Sequence, residues 1–343
     1  MKFKLLISLL LVMGLVISIG AVGLVGAEKP KIALFVSTIN NPYFVTMADG
    51  AKAAAADFGA DITVFDGQND SAIQTTQVED AIAKGYSAIL LNPTNQDALV
   101  PAVKKANAAG IPVFSVDRDV KGGERVAYIG TSNVLAAKEG AIVFLSSLLQ
   151  AKTTPFKIVI LEGIPGASAA VEREEGFKDV LTPFIDAGVI QVIKDLTAQF
   201  DRATGLKVME DILATTKDID GLIAANDEMA LGALQALKAA GVPVGVANNG
   251  VIIMGFDAVA DAVNAVKAGD FIGTVAQAPF IQGYWGAEAS ILYVEGKWSV
   301  PPGTATYAPT GAKFIPTPVG IVTAANADTI TSVTMAKPPL PGT

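Results

Sequence analysis

The sequence predicts an α/β fold built from two doubly wound parallel-sheet units. Three observations lead there. From Lys31 to about Gln277 one unit recurs, a short apolar strand, a polar tip and an Ala-rich helix. Strands that alternate with helices pair in parallel and are covered on both faces. The alternation restarts after Thr131, and 343 residues are enough for two domains.

The elements follow in order. Ile32 to Ser37 is an apolar run, as a strand buried on both faces requires, so a strand is expected over 32–37. Pro42 suits a first helical turn, and a helix runs from there to Phe58, where Gly59 ends it. A strand over 62–65 and a helix over 72–84 come next, the helix carrying Ile73, Val78 and Ile82 on a loose apolar stripe. A strand over 88–91, a helix over 97–109 and a strand over 112–116 complete the first unit, with Gly110 and Pro112 as punctuation. The second unit opens with a helix over 134–149. Strands are expected over 157–161, 190–194, 221–225, 251–255 and 273–276, and helices over 168–181, 202–215, 228–240, 258–267 and 282–295. From Lys297 the chain is rich in Pro, Gly and Thr, with one more strand over 314–322 and an irregular end from Asp328.

Composition excludes several chemistries. The net charge of −8 and pI near 4.7 argue against a nucleic-acid partner, which favours a basic face. With no His and no Cys, imidazole catalysis, thiol catalysis, disulfides and the usual transition-metal ligands are absent. No metal and no cofactor is expected. Met1 to Ala27 reads as a signal peptide: Lys2 and Lys4 precede a long apolar run, and Val25-Gly26-Ala27 suits cleavage before Glu28. The run is also long enough to cross a bilayer, so a retained N-terminal anchor is the alternative.

The strand tips carry the chemistry. They are Ser37 to Asn41, Asn92-Pro93-Thr94, Asp117-Arg118-Asp119, Asn226-Asp227 and Phe256-Asp257. In an open parallel sheet ligands bind outside the carboxyl ends of the strands. Carboxylates accept, guanidinium groups donate and amides do both, which suits a small, neutral, hydroxyl-rich molecule. Asn41 before Pro42 also reads as a helix cap. Of the two residues at 226–227, Asn226 is assigned to the ligand and Asp227 to capping. Glu172, Glu174 and Glu175 are expected as surface charges.

At these tips the chain resembles the periplasmic ribose-binding proteins, the sugar receptors of ABC importers. The motifs are Val36 to Phe44, Asn92-Pro93-Thr94, Val116-Asp117-Arg118, Gly163 to Ala170 followed by Arg173, Phe200-Asp201-Arg202, Asn226 to Ala233, Gly255-Phe256-Asp257 and Ala276-Gln277. The resemblance runs from about Lys31 to Glu295. It implies two lobes around a cleft, joined by a multi-strand hinge. The first lobe is then 28–131 plus about 278–314, the second 132–277 plus about 315–326, and 327–343 an irregular tail. It implies ligand contacts from Asn41, Tyr43, Phe44, Asp117, Arg118, Arg173, Phe200, Asn226, Asp257 and Gln277, with Ser37, Asn92, Ile164 and Phe256 close by. Tyr43, Phe44, Phe200 and Phe256 would sandwich the apolar face of a sugar.

The implied function is a monomeric, extracytoplasmic, non-enzymatic receptor that closes on a monosaccharide, D-ribose first, and delivers it to a membrane permease. Presentation of the closed form to a chemoreceptor or sensor kinase is the alternative. Three departures from the family pattern stand out. Tyr43 replaces the usual Phe, its hydroxyl reaching solvent or a different sugar. The segments 242–250 and 297–313 are extended and are expected as surface loops away from the cleft.

Overall fold

The computed structural model describes residues 28–329 and 337–343; the expected leader, Met1 to Ala27, lies outside the described residues. Among these the strands form two six-stranded sheets. The first contains β1 (Lys31–Val36), β2 (Asp61–Asp66), β3 (Ala88–Leu91), β4 (Val113–Val116), β5 (Tyr128–Gly130) and β11 (Phe314–Pro316), in the order β2-β1-β3-β4-β5-β11. All its pairings are parallel, Leu34 standing between Val64 and Leu90. The second contains β6 (Phe156–Glu162), β7 (Ile190–Thr197), β8 (Gly221–Ala224), β9 (Ile252–Asp257), β10 (Gly273–Ala276) and β12 (Gly320–Val322), in the order β7-β6-β8-β9-β10-β12. Only β12 runs antiparallel to its neighbour. Both sheets therefore share one doubly wound order, whose direction reverses between β1 and β3 and between β6 and β8.

In the first lobe α1 (Pro42–Phe58) and α9 (Pro279–Val294) cover one sheet face, and α2 (Ser71–Ala83) and α3 (Val100–Ala108) the other. Alternate residues of β1 divide between them, Ile32, Leu34 and Val36 facing one layer and Ala33 and Phe35 the other. Burying each large one contributes about 1.5–3 kcal/mol. Gly283 lets α9 lie against α1, since a Cβ there would stand 1.8 Å from the Met47 carbonyl oxygen. Helix α3 starts at Val100 rather than Asp97, because the Asn95 side chain accepts from the Asp97 and Ala98 amides and holds them in a turn.

The second lobe has α4 (Asn133–Ala151), α5 (Ser168–Asp186), α6 (Arg202–Leu213), α7 (Asp227–Ala239) and α8 (Ala260–Lys267) around one large core. By length and composition α4 could cross a membrane, but Ala137, Ala141, Phe144 and Leu148 are fully buried in that core. It is read as a core helix. The segment 242–250 holds one short 3-10 turn, Val246–Asn248.

Three segments pass between the sheets: Thr131–Ser132 after β5, Gln277–Ala278 after β10, and Thr317–Val319 between β11 and β12. The single strand expected over 314–322 is thus two strands in different sheets. Pro318, which cannot donate to a ladder, falls in the break between them. Strand β5 was not foreseen, being only three residues long.

The end expected to be irregular has no regular structure over Lys337–Thr343, yet it is packed on the first lobe. The indole N–H groups of Trp285 and Trp298 donate to the carbonyls of Pro338 and Pro341, at 2.8 and 3.1 Å. Leu340 is buried beside them and Lys337 pairs with Asp57 at 2.6 Å. Leu340→Ala is expected to cost about 2–5 kcal/mol, read as a lowered midpoint in denaturant at unchanged slope, with ligand affinity retained.

Candidate functional site

The strand tips of the two sheets face one another across a narrow cleft space. Asn41, Tyr43, Phe44, Asp117 and Arg118 line it from the first lobe, and Arg173, Phe200, Asn226, Asp257 and Gln277 from the second. Ala169 adds a small apolar wall that was not anticipated. Ser37, Asn92, Ile164 and Phe256 do not line this space.

Local structure explains each placement. Asn41 caps α1, its Oδ1 accepting from the Tyr43 amide at 2.9 Å, which leaves its amide group for the cleft. Asn226 caps α7, accepting from the Met229 amide at 3.0 Å. Asp227 does not cap. It is fully buried and accepts from the Thr274 hydroxyl at 2.7 Å and the Val259 amide at 2.9 Å. Burial pushes its carboxyl well above the usual range. Both residues suit a helix start, and the direction of the chain as it leaves β8 decides between them.

Asp117, Phe200 and Asp257 have φ of 61°, 55° and 120°. Non-glycine residues there cost on the order of 1–3 kcal/mol each and cluster at functional sites. At Gly163 a Cβ would stand 2.1 Å from the Phe200 ring, so glycine admits that ring to the cleft.

A second layer aims the charged groups. Ser37 Oγ accepts from Arg118 at 2.9 Å and donates to Asn92 Oδ1 at 2.7 Å, and the Asn92 amide donates to Asp117 Oδ2 at 2.9 Å. Arg173 donates to Asn133 Oδ1 at 3.0 Å, to the Ala225 carbonyl at 2.7 Å and to Asp257 Oδ1 at 3.3 Å. The aromatic faces are turned to the guanidinium groups. Arg118 lies over Phe44 and Phe200 at 5.2 and 5.3 Å, and Arg173 over Phe256 at 3.8 Å. Phe256 is therefore a buried support for Arg173 and not half of a sugar sandwich.

Two carboxylates and two arginines balance in charge. Burial raises the Asp117 carboxyl, opposed by Arg118 and Arg173. Burial raises Asp257 to about 7, opposed by Arg173. Burial lowers Arg118, opposed by Asp117. Glu172, expected at the surface, is buried behind the cleft. Its Oε2 accepts from Asn133 at 3.0 Å, and burial raises its carboxyl to about 7. Helix geometry turns it inward beside Arg173.

The Tyr43 hydroxyl is buried from solvent and bonded toward the chain crossings. It donates to Gln282 Oε1 at 2.6 Å and lies 3.2 Å from Gln277 Oε1. Gln282 in turn donates to Thr131 at 3.1 Å and Thr317 at 3.2 Å, and Thr131 donates to Gln277 at 2.6 Å. The Gln282 amide thus ties two crossings together directly and the third through Thr131, and sequence reasoning missed it because Gln282 looks like any polar residue on an Ala-rich helix. Tyr43→Phe is expected to lower stability by about 1–3 kcal/mol by leaving a buried acceptor unpaired. Thermal melting checks this, with ligand preference unchanged in calorimetry.

Some groups remain open to the cleft. Asp117 Oδ1 and Arg118 Nε are buried without a hydrogen-bond partner among the described residues. Asn41 keeps its amide group, and Gln277 donates only one of its two N–H bonds, to Asp257 at 2.6 Å. The cleft offers several donors around two carboxylate acceptors.

Residues 32–297 match the model of the periplasmic binding protein domain family. The chain is 40% identical over 277 residues to a ribose import binding protein of Haemophilus influenzae, covering 81% of this chain and 90% of that protein. It is 39% identical over 269 residues to that of Escherichia coli, covering 78% and 86%. Among solved structures, an ABC transporter solute binding protein from Bacillus halodurans with bound myo-inositol superposes with a TM-score of 0.76 at 28% identity, covering 90% of this chain and 99% of that one. A galactofuranose binding protein gives 0.77 at 25% identity, covering 88% and 96%. The doubled sheet order, the cleft at its strand tips and the match over most of the chain place this protein in the periplasmic binding protein family.

Proposed function

We propose that this protein is an extracytoplasmic receptor that encloses one monosaccharide, D-ribose first, between its lobes and hands it to the permease of an ABC importer. The observation that carries this is the pattern of open groups. Asp117 Oδ1 is a buried acceptor, Arg118 Nε a buried donor, and both await a partner that donates and accepts at adjacent atoms. Vicinal hydroxyls do that. The net neutrality of the two acids and two arginines disfavours a charged ligand. The relatives named as ribose import proteins support the choice of sugar, and the structures holding other sugars and myo-inositol define its competitors.

The protein is a binding protein and not an enzyme. The strength required is accessible: a pentose has about ten heavy atoms, each contributing at best about −1.5 kcal/mol, and micromolar affinity needs only about −8 kcal/mol. Calorimetric titration of refolded protein with ribose, allose, xylose, galactose and myo-inositol tests the reading. One-to-one binding of ribose at micromolar affinity or better, with the others weaker by tenfold or more, is expected. Preference for another sugar overturns ribose and keeps the receptor. Silence with all five overturns the sugar reading.

A further inference from the structure

Among the described residues three segments carry the chain between the lobes, so a change of lobe angle turns on the backbone of Thr131–Ser132, Gln277–Ala278 and Thr317–Val319. Their polar side chains face inward. Thr131 and Gln282 are fully buried, and Gln277 and Thr317 nearly so. The third crossing is braced on the first lobe, its Thr317 amide donating to the Gly130 carbonyl at 2.9 Å. The segment 297–313 that leads there is not a free surface loop, since its Tyr307 ring packs on Tyr128 at 5.1 Å between centroids.

The bonds at the crossings run in one direction, and the pocket sets it. Asp257 Oδ1 already accepts from Arg173 at 3.3 Å, so the Gln277 amide turns an N–H toward it, at 2.6 Å. Gln277 Oε1 then faces Thr131 and takes its single hydroxyl proton at 2.6 Å. The Thr131 oxygen can only accept after that, here from Gln282 at 3.1 Å, and the other Gln282 N–H goes to Thr317 at 3.2 Å. Gln282 Oε1 is left to accept from the Tyr43 hydroxyl at 2.6 Å. Turning the Gln277 amide over would set its oxygen against the Asp257 carboxylate, with both buried.

A second arm returns from the pocket to the same crossing. Arg173 donates to Asn133 Oδ1 at 3.0 Å, and the Asn133 amide donates to the Thr131 carbonyl at 2.9 Å. Thr131, Gln277, Asp257, Arg173 and Asn133 therefore close a ring of hydrogen bonds. Thr131 directly follows β5 of the first sheet, and Gln277 directly follows β10 of the second. Their bond spans the hinge itself.

We propose that Thr131 and Gln282 are positioning residues for the ligand, which hold the crossings together and thereby fix the Gln277 amide with its free N–H in the cleft, coupling lobe angle to the binding site. Neither lines the cleft space, whereas Gln277 and Tyr43, at the two ends of the chain of bonds, both do. A change of angle at the crossings strains the Thr131–Gln277 bond and releases the amide that Asp257 and the ligand share.

The test uses Thr131→Val, which keeps the shape and removes the hydroxyl, Gln282→Met, which keeps the length and removes the amide, and Thr131→Ser, which keeps the hydroxyl. All are measured below their melting transitions. With the sugar identified by calorimetry, Kd is expected to rise about tenfold or more in Thr131→Val and Gln282→Met, and to stay within about threefold in Thr131→Ser. In a Gln277→Met background, Thr131→Val should add less than about twofold, because its effect passes through that amide. An unchanged Kd in Thr131→Val, an equal loss in Thr131→Ser, or additive losses in the double variant overturns the positioning role. This arm rests on the sugar-receptor reading. The second arm does not. The chain has no cysteine, so Lys52→Cys on α1 and Lys207→Cys on α6, both exposed, give a unique pair of spin-label sites spanning the lobes. In ligand-free protein the spread of interlobe distances is expected to widen in Thr131→Val and Gln282→Met. Identical distributions overturn the coupling whichever ligand the cleft takes.

Discussion

Arg173→Ala is expected to weaken sugar binding by about 2–5 kcal/mol, which is roughly 30- to 5,000-fold in Kd. The side chain spends its donors on Asn133, the Ala225 carbonyl and Asp257, and stacks on Phe256. Truncation removes a buried cation and leaves Asp257 with Gln277 as its remaining side-chain partner. An unpaired buried carboxylate costs several kcal/mol, but Asp257 has a way out. Its carboxyl already sits at about 7 because of burial, and losing Arg173 raises it further. It then takes up a proton, the fold survives, and the pocket loses both a donor and a charged acceptor. Calorimetry beside a thermal melt checks this. A Kd within threefold of the wild type in a folded variant would refute the site. Arg173→Lys is expected to rescue little, because a point charge cannot hold all three partners and stack at once.

Asp117→Ala is the second large effect, again about 2–5 kcal/mol of binding. Asp117 supplies the unpaired acceptor, and it lies 3.7 Å from the Arg118 guanidinium, which loses its counter-charge in the variant. Backbone strain separates structure from chemistry here. At φ of 61° alanine pays the left-handed penalty and glycine does not. Asp117→Gly should therefore be more stable than Asp117→Ala by about 1 kcal/mol, while both fail to bind. If Asp117→Gly binds as tightly as the wild type, the carboxylate has no role and the residue is there for its backbone alone.

The pocket was legible because a doubly wound sheet collects its strand tips at one edge. Polar residues at the ends of apolar runs, such as Asp117 after Val116 and Asp257 after Phe256, are displaced from the core only by function or solvent. The supports were less legible. Gln282, Thr131 and Thr317 come from three distant stretches and meet only where the chain crosses between sheets. Glu172 lies in a run of charges that reads as solvated, and it is buried only where α5 packs on α4 and Asn133 donates to it. Tyr307, whose ring packs on the Tyr128 that bonds the Asp117 carbonyl, sits among Pro, Gly and Thr, where neither periodicity nor spacing points anywhere. Asn226 and Asp227 were assigned by type, and both carry out a task, but capping went to the asparagine.

The path of the chain also sets a timetable for folding. The first sheet gains its edge strand only at Phe314–Pro316, and its outer layer only at Pro279–Val294, although its other strands end by Gly130. Emerging at about 5–20 residues per second, the ribosome needs roughly 10–40 s to make the intervening chain. Throughout that interval Ile32, Leu34 and Val36 lack the Trp285 side of their core. The first lobe thus stays unfinished until the second has been synthesised, and long-range closures of this kind are intrinsically slow.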